Sequence, residues 1–320
     1  VRLKLALVWL AIFTIAANAE PVAISASPLN RFGSLSGTKF DWRGGLVIES
    51  ADKTFGGLSG LALSEDCTGL LAVSDAGRWF RASLQYEKGN LANISEAELA
   101  PMLDGAGKPP KSKRRGDAEA VANLGSGRYM VGFESRTRIG IYDIGTAGLN
   151  ARFQLLKSPK VIADGPSNGE VESVGQFKAG PWQGHYLAIS EHNLDGDGNI
   201  RGWLWQSSRT VPFAIKRLED YSITDAAILP GGDVIILERS FGTSLLPGMA
   251  IRRIEASAIK KGGTVEPELL FAGRALFYAI DNMEGIALCE REGETRLAIV
   301  SDDNFNLRQR TLLLQFSYEP

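Results

Sequence analysis

Apolar and polar positions along the chain alternate in short runs separated by Gly-rich turns, and helical periodicity is nearly absent. One pattern recurs: a polar or acidic residue, a small residue, then apolar residues. It is carried by Leu58-Ser59-Gly60-Leu61, Ala118-Glu119-Ala120-Val121, Val171-Glu172-Ser173-Val174, Thr224-Asp225-Ala226-Ala227 and Met283-Glu284-Gly285-Ile286. After a turn such as Leu124-Gly125-Ser126-Gly127 or Pro230-Gly231-Gly232-Asp233, a second run in each unit ends on a carboxylate: Asp75, Glu134, Glu191, Glu238 and Asp302. Third runs follow, as in Arg138–Tyr142, Arg201–Trp205 and Thr311–Phe316. Repeated units of several short strands predict an all-β β-propeller, with five repeats visible and a degenerate sixth left open. The strand-like stretch Lys39–Ile48 precedes the first repeat and is expected to complete the last blade, closing the ring. The propeller is expected over residues 39–320, residues 20–38 as an N-terminal arm, and Asn93–Leu103 as one or two helical turns.

Composition fits this picture and adds a location. The 320 residues include 36 Gly and only two Cys, which suits many tight turns and excludes a disulfide-dense scaffold. Val1–Ala19 has basic Arg2 and Lys4, an apolar run from Leu5 to Ile15, and Ala17-Asn18-Ala19 before Glu20. That is the layout of a secretory signal peptide cleaved after Ala19, so a periplasmic or secreted protein is expected. The formal charge of −2 becomes −4 once Arg2 and Lys4 leave with the leader. A mildly acidic exported chain lacks the basic footprint of a nucleic-acid binder, and without its leader it has no expected membrane contact. Its expected partner is a small molecule, and a monomer is expected. The basic cluster Lys108–Arg115 (KPPKSKRR) reads as a solvated loop or as an anion contact. Cys67 and Cys289 occupy similar places in the first and last repeats, so ring closure would make them neighbours, either as a disulfide or as two thiols.

Candidate chemistry comes from the acidic columns. If the first column is the innermost strand of each blade, Glu119, Glu172, Asp225 and Glu284 converge with Ser59 near one mouth of the channel, with Asp302 and the other second-column carboxylates behind them. Two such charges about 5 Å apart repel by roughly 3 kcal/mol at an effective dielectric near 20. The cluster therefore needs protons, basic partners or a metal ion. Arg78, Arg136, Arg138 and Arg239 follow second-column carboxylates closely, so structural ion pairs are one reading. Oxygen-only donors with few His favour Ca²⁺ over Zn²⁺, which is the other. A separate loop, Asn193-Leu194-Asp195-Gly196-Asp197-Gly198, has the opening spacing of a calcium loop but carries Leu204 where the closing Glu would stand; it is also a good polar turn. Ser59 has no Gly-x-Ser-x-Gly elbow and no nearby His to make it a nucleophile.

The stretches Phe55–Leu61, Gly116-Asp117-Ala118-Glu119-Ala120, Asn168–Ser173, Ile223–Ala226, Leu237–Phe241, Asp281-Asn282-Met283-Glu284-Gly285 and Val300-Ser301-Asp302-Asp303-Asn304-Phe305 resemble the phytase-like family, named for esterase-like activity of phytase. The resemblance implies an exported bacterial propeller that hydrolyses ester or phosphate-ester bonds with Ca²⁺. It implies that Glu119, Glu172, Asp225, Asn282, Glu284, Asp302 and Asp303 hold metal and orient water, joined by Asn193, Asp195 and Asp197 if their loop takes calcium. Arg78, Arg136 and Arg239 would neutralise a phosphate or oxyanion. A calcium-dependent lactonase-like propeller and a non-catalytic binding propeller with structural calcium remain the alternatives.

Overall fold

The computed structural model describes residues 19–163, 171–241 and 246–320; the signal-peptide reading falls almost entirely outside them. Among the described residues the strands form five sheets, each beginning at an inner strand and stepping outward. The inner strands are Leu58–Leu63, Ala118–Gly125, Ser173–Gln176, Ser222–Ile228 and Met283–Arg291. Each contacts the next and the fifth contacts the first, so they close a circle around a channel. We call their sheets blades I to V. The fold is a five-bladed β-propeller, and the sixth repeat does not exist among the described residues.

Five buried apolar clusters hold the ring, and each lies between two adjacent blades. The small residue after each acidic position explains why the blades approach so closely. A Cβ on Gly60 would lie 2.8 Å from the Val121 nitrogen, and one on Gly285 would lie 3.0 Å from the Leu61 nitrogen. A larger side chain there would force neighbouring inner strands apart and open the apolar seam.

Closure follows the expected route. Phe40–Ser50 pairs antiparallel with Thr311–Tyr318 inside blade V, so the two ends of the chain share one sheet. The N-terminal arm is itself structured: Ile24–Pro28 adds a further strand to blade V, and Glu20–Pro21 pairs with blade I. Across that same seam Cys67 and Cys289 form a disulfide, with Cα atoms 5.3 Å apart. Cys67 is in a turn, whereas Cys289 lies within the inner strand of blade V.

Asn93–Leu103 is not helical. It belongs mostly to the strand Asn90–Pro101, which pairs with Arg78–Glu87. Alternation explains the outcome: Arg81 and Glu98 pair across the strands, while Leu91, Ile94 and Leu99 face the apolar cluster between blades V and I. Glu96, with φ of 52°, takes up a bulge where the register shifts.

Candidate metal centre at the channel mouth

The inner strands of blades I, II, IV and V share one irregularity. Each skips a residue in its pairing, between Leu58 and Gly60, Ala118 and Ala120, Ile223 and Asp225, and Met283 and Gly285. A bulge re-aims the extra residue, which alternation would otherwise send into a blade interface. The extra residues are Ser59, Glu119, Thr224 and Glu284, with Glu172 at the corresponding place just before its strand. Blade IV thus places Thr224, not Asp225, at the first acidic position.

Asp225 occupies the small-residue position instead. Its carboxylate accepts from the Ala226 N–H at 2.8 Å and from the Ile286 N–H of blade V at 2.9 Å, and it is buried. It ties two inner strands together, and burial pushes its carboxyl well above the usual range against those hydrogen bonds.

The second column moves by one residue in the same blade. Ser222 pairs with Arg239. The Asp302 N–H bonds the Asn282 carbonyl, the Glu134 N–H that of Asp117, and the Asp75 N–H that of Gly57. Arg239 therefore stands where the other blades carry Asp75, Glu134, Glu191 and Asp302. Glu238 is fully buried and grips Arg252 through two contacts of 2.6 Å.

Asp117, Glu119 and Glu134 of blade II hold one oxygen each within 4.8 Å of one another, an acidic triad that could hold a metal ion. Ser135 Oγ donates to Asp117. Burial, then the charges of Asp117, Glu284 and Glu134, raise the Glu119 carboxyl well above its ordinary value. Glu172 is raised likewise by burial and by Glu119, Glu191 and Glu134. Burial moves Glu284 to about 8 despite Arg239, and Asp302 to about 7 despite the Asn304 N–H. These mutual influences place Glu119, Glu172, Glu284 and Asp302 in one electrostatic neighbourhood.

Arg239 and Lys113 answer the acids, and His192 Nδ1 lies 2.8 Å from a Glu191 carboxylate oxygen. Arg239 pairs with Glu284 at 2.6 Å and Glu191 at 3.4 Å, and donates to Asn282 Oδ1 at 2.8 Å. Asn282 Nδ2 donates in turn to Glu284 at 2.7 Å. Burial disfavours the Arg239 charge, but Glu284, Glu191 and Glu172 outweigh it and hold the guanidinium above its ordinary value. Lys113, from the KPPKSKRR loop, pairs with Asp75, so that loop is anchored on the mouth by one of its lysines.

The other sequence candidates are not among the triad, although the Asp303 charge acts on Asp302. Asp303 accepts from the Gly57 and Phe305 N–H groups and the Thr311 hydroxyl, shaping a turn. Arg78 begins an outward strand and its charge acts on Asp52. Arg136 lines a separate cavity outside blade II. In the hairpin loop, Asp195 accepts from the Asp197 and Asn199 N–H groups, and the Asn193 carbonyl accepts from Ser190. Asp117 escapes a search for the first column because it precedes Glu119 by two residues. The same spacing in Asn282-x-Glu284 is the signal that finds it.

Past the acidic residues, the channel widens into a mainly apolar cavity of about 490 Å³, bordered by Leu61, Val121, Val174, Ala226 and Ile286. Glu65, Lys178 and Glu290 border its far side, away from the inner-strand carboxylates of the mouth.

A family described as phytase-like, esterase-like activity of phytase, matches residues 53–305. The chain belongs to this family. The match spans the inner strands of all five blades and every residue of the acidic mouth. No curated protein sequence matches the chain. Among solved structures, a gluconolactonase from Xanthomonas campestris is 12% identical, with a TM-score of 0.44 over 93% of this chain and 99% of its own. The Dos1 propeller is 12% identical, with a TM-score of 0.36 over 85% and 73%. The N-terminal domain of Nup159 is 10% identical, with a TM-score of 0.37 over 92% and 98%. At such values these likenesses carry no functional argument. Among the described residues no helix is long and apolar enough to cross a membrane.

Proposed function

We propose that this protein is an exported, calcium-dependent hydrolase of ester or phosphate-ester bonds, working as a monomer on a small molecule at the acidic mouth of the propeller. The observation that carries the reading is the convergence of Asp117, Glu119 and Glu134 within 4.8 Å in a chain of the phytase-like family. Oxygens bound to Ca²⁺ at 2.3–2.6 Å lie up to about 5 Å apart, and the donors are all carboxylates, so the residues present fit a hard divalent cation.

Asp117, Glu119 and Glu134 would hold the ion, with Glu172, Glu284 and Asp302 facing the same space. A bound Ca²⁺ would supply Lewis acidity and a more acidic water. Arg239 and Asn282 fix the Glu284 carboxylate, and the Arg239 guanidinium puts N–H donors on this wall, where negative charge developing on an ester oxygen would be favoured. The disulfide fits export to the periplasm or beyond.

The test is hydrolysis of a phosphomonoester, a carboxyl ester and a lactone, each with calcium and with a chelator. Chelator-sensitive hydrolysis of either ester is the expected result, and lactone opening alone would move the activity to a lactonase. Calcium-dependent thermal stability with no hydrolysis would leave a binding propeller and overturn the reading.

A further inference from the structure

Outside the channel, blade II carries a second cavity of about 210 Å³ bordered by Phe133, Phe153, Tyr142 and Met102 on one side and by Lys111, Arg115, Arg136 and Arg138 on the other. Its cations come from two places, the KPPKSKRR loop and the turn after Phe133. The loop is held at the edge of blades I and II: Gly116 packs on Gly77 of blade I, Lys113 reaches Asp75 of blade I, and the Arg115 carbonyl accepts from Arg138 of blade II.

Arg138 is the innermost of the cations. Its guanidinium lies over the Phe133 ring at 3.8 Å and donates to the backbone carbonyls of Arg136 and Arg115. Among the described residues, none of these four cations forms an ion pair. Asp104 also borders the cavity, but one of its oxygens is engaged by the Ala106 and Lys108 N–H groups in its own turn. Burial holds the Arg138 pKa below its ordinary value although Tyr142 and Asp117 act to raise it, so an anion placed against the guanidinium would offset that burial.

We infer that this cavity binds the anionic end of an arene-bearing ligand, an aryl phosphate or carboxylate, with its ring against Phe133, Phe153 and Tyr142 and its charge on Arg136 and Arg138. Size agrees: a cavity of about 150 Å³ lined by apolar side chains takes benzene, so this one holds a single ring and a small charged group. The aromatic walls argue against a ligand that is polar on every side, which would lose hydration there without return. Position suggests what the cavity does. Gly116 and Phe133 border it, and each is the chain neighbour of a triad carboxylate, Asp117 or Glu134. A ligand seated here therefore lies one residue from the proposed cation. As a substrate subsite the inference rests on the hydrolase reading; as a binding site it does not.

The experiment is calorimetric titration of the full mature chain with phenyl phosphate, glycerol phosphate and phenol, in chelator so that the channel mouth holds no metal. Phenyl phosphate is expected to bind at least tenfold more tightly than either control. Lys111→Gln with Arg136→Gln, both exposed and safe for folding, is expected to weaken phenyl phosphate about tenfold. Arg138→Met, which keeps the packing on Phe133, is expected to do the same. Equal binding of phenyl and glycerol phosphate, or unchanged affinity in both variants, overturns the inference. Phenyl phosphate binding with no hydrolysis of any phosphate or carboxyl ester in calcium sustains the cavity and removes the hydrolase. Hydrolysis with no aryl preference and no response to Arg136→Gln does the reverse.

Discussion

Blades II and IV place different chemistry on the same backbone frame. Where blade II presents Asp117, Glu119 and Glu134, blade IV presents Ser222, Thr224 and Arg239 at the matching register positions. Blade II therefore presents a carboxylate cluster, whereas blade IV presents two hydroxyls and a guanidinium that pairs with Glu284 and Glu191 of its neighbours. A ring of five equivalent acids would serve only to concentrate cations. A mouth polarised in this way can hold a cation on one wall and favour anionic character on the other, which is what ester hydrolysis asks of a site.

The strongest way to break this comparison is through the residue that sequence alignment assigns wrongly. Glu238→Gln removes a buried partner of Arg252 and should cost about 3–5 kcal/mol of stability, read by denaturant unfolding. Calcium affinity should stay unchanged, because Glu238 faces Arg252 and not the mouth; a large loss of affinity would restore Glu238 to the acidic column. Glu119→Gln tests the other blade and should weaken calcium by roughly tenfold or more in calorimetry. Arg239→Gln should leave Glu284 and Glu191 uncompensated and lower the metal-free melting temperature by several degrees, on the order of 1–2 kcal/mol, with calcium restoring most of the loss.

The pH dependence has a definite sign. Glu284 and Asp302 titrate at about 8 and about 7 in the fold and near 4 when unfolded. The folded state then binds more protons between those values, so metal-free stability should fall as pH rises from about 5 to 8. Calcium should flatten that fall; a metal-free melting temperature that does not decrease over this range would remove the buried acidic site. The smallest expected effect is that of Asp195→Ala with Asp197→Ala, which should cost under about 1 kcal/mol if the loop is only a turn. A larger calcium-dependent loss would give that loop its own ion.

Much of the fold was legible because period-two patterning and Gly-rich turns repeat at near-constant spacing. Closure by the strand before the first repeat was legible for the same reason: it is a strand-like run that precedes the first full unit of the repeat. The misalignment in blade IV has a physical origin. Thr224-Asp225 and Glu238-Arg239 each place a carboxylate next to the residue that faces the mouth, and only the ladder around the bulge tells the two apart. Asp117 was legible in principle through the spacing it shares with Asn282-x-Glu284. The Lys113–Asp75 pair and the cavity beside Arg138 were not, since both depend on how a long loop folds back onto blades I and II.

The closing strand also sets a timetable. Phe40–Ser50 leaves the ribosome early, yet its blade V neighbour Thr311–Tyr318 is made last, and Cys67 must find Cys289 across 222 residues. Blade V cannot seal until both of these strands exist, and an early strand left with an open edge is an invitation to wrong pairing. Under the export proposed above, the blade V sheet and its disulfide would seal on the far side of a membrane, where thiols oxidise.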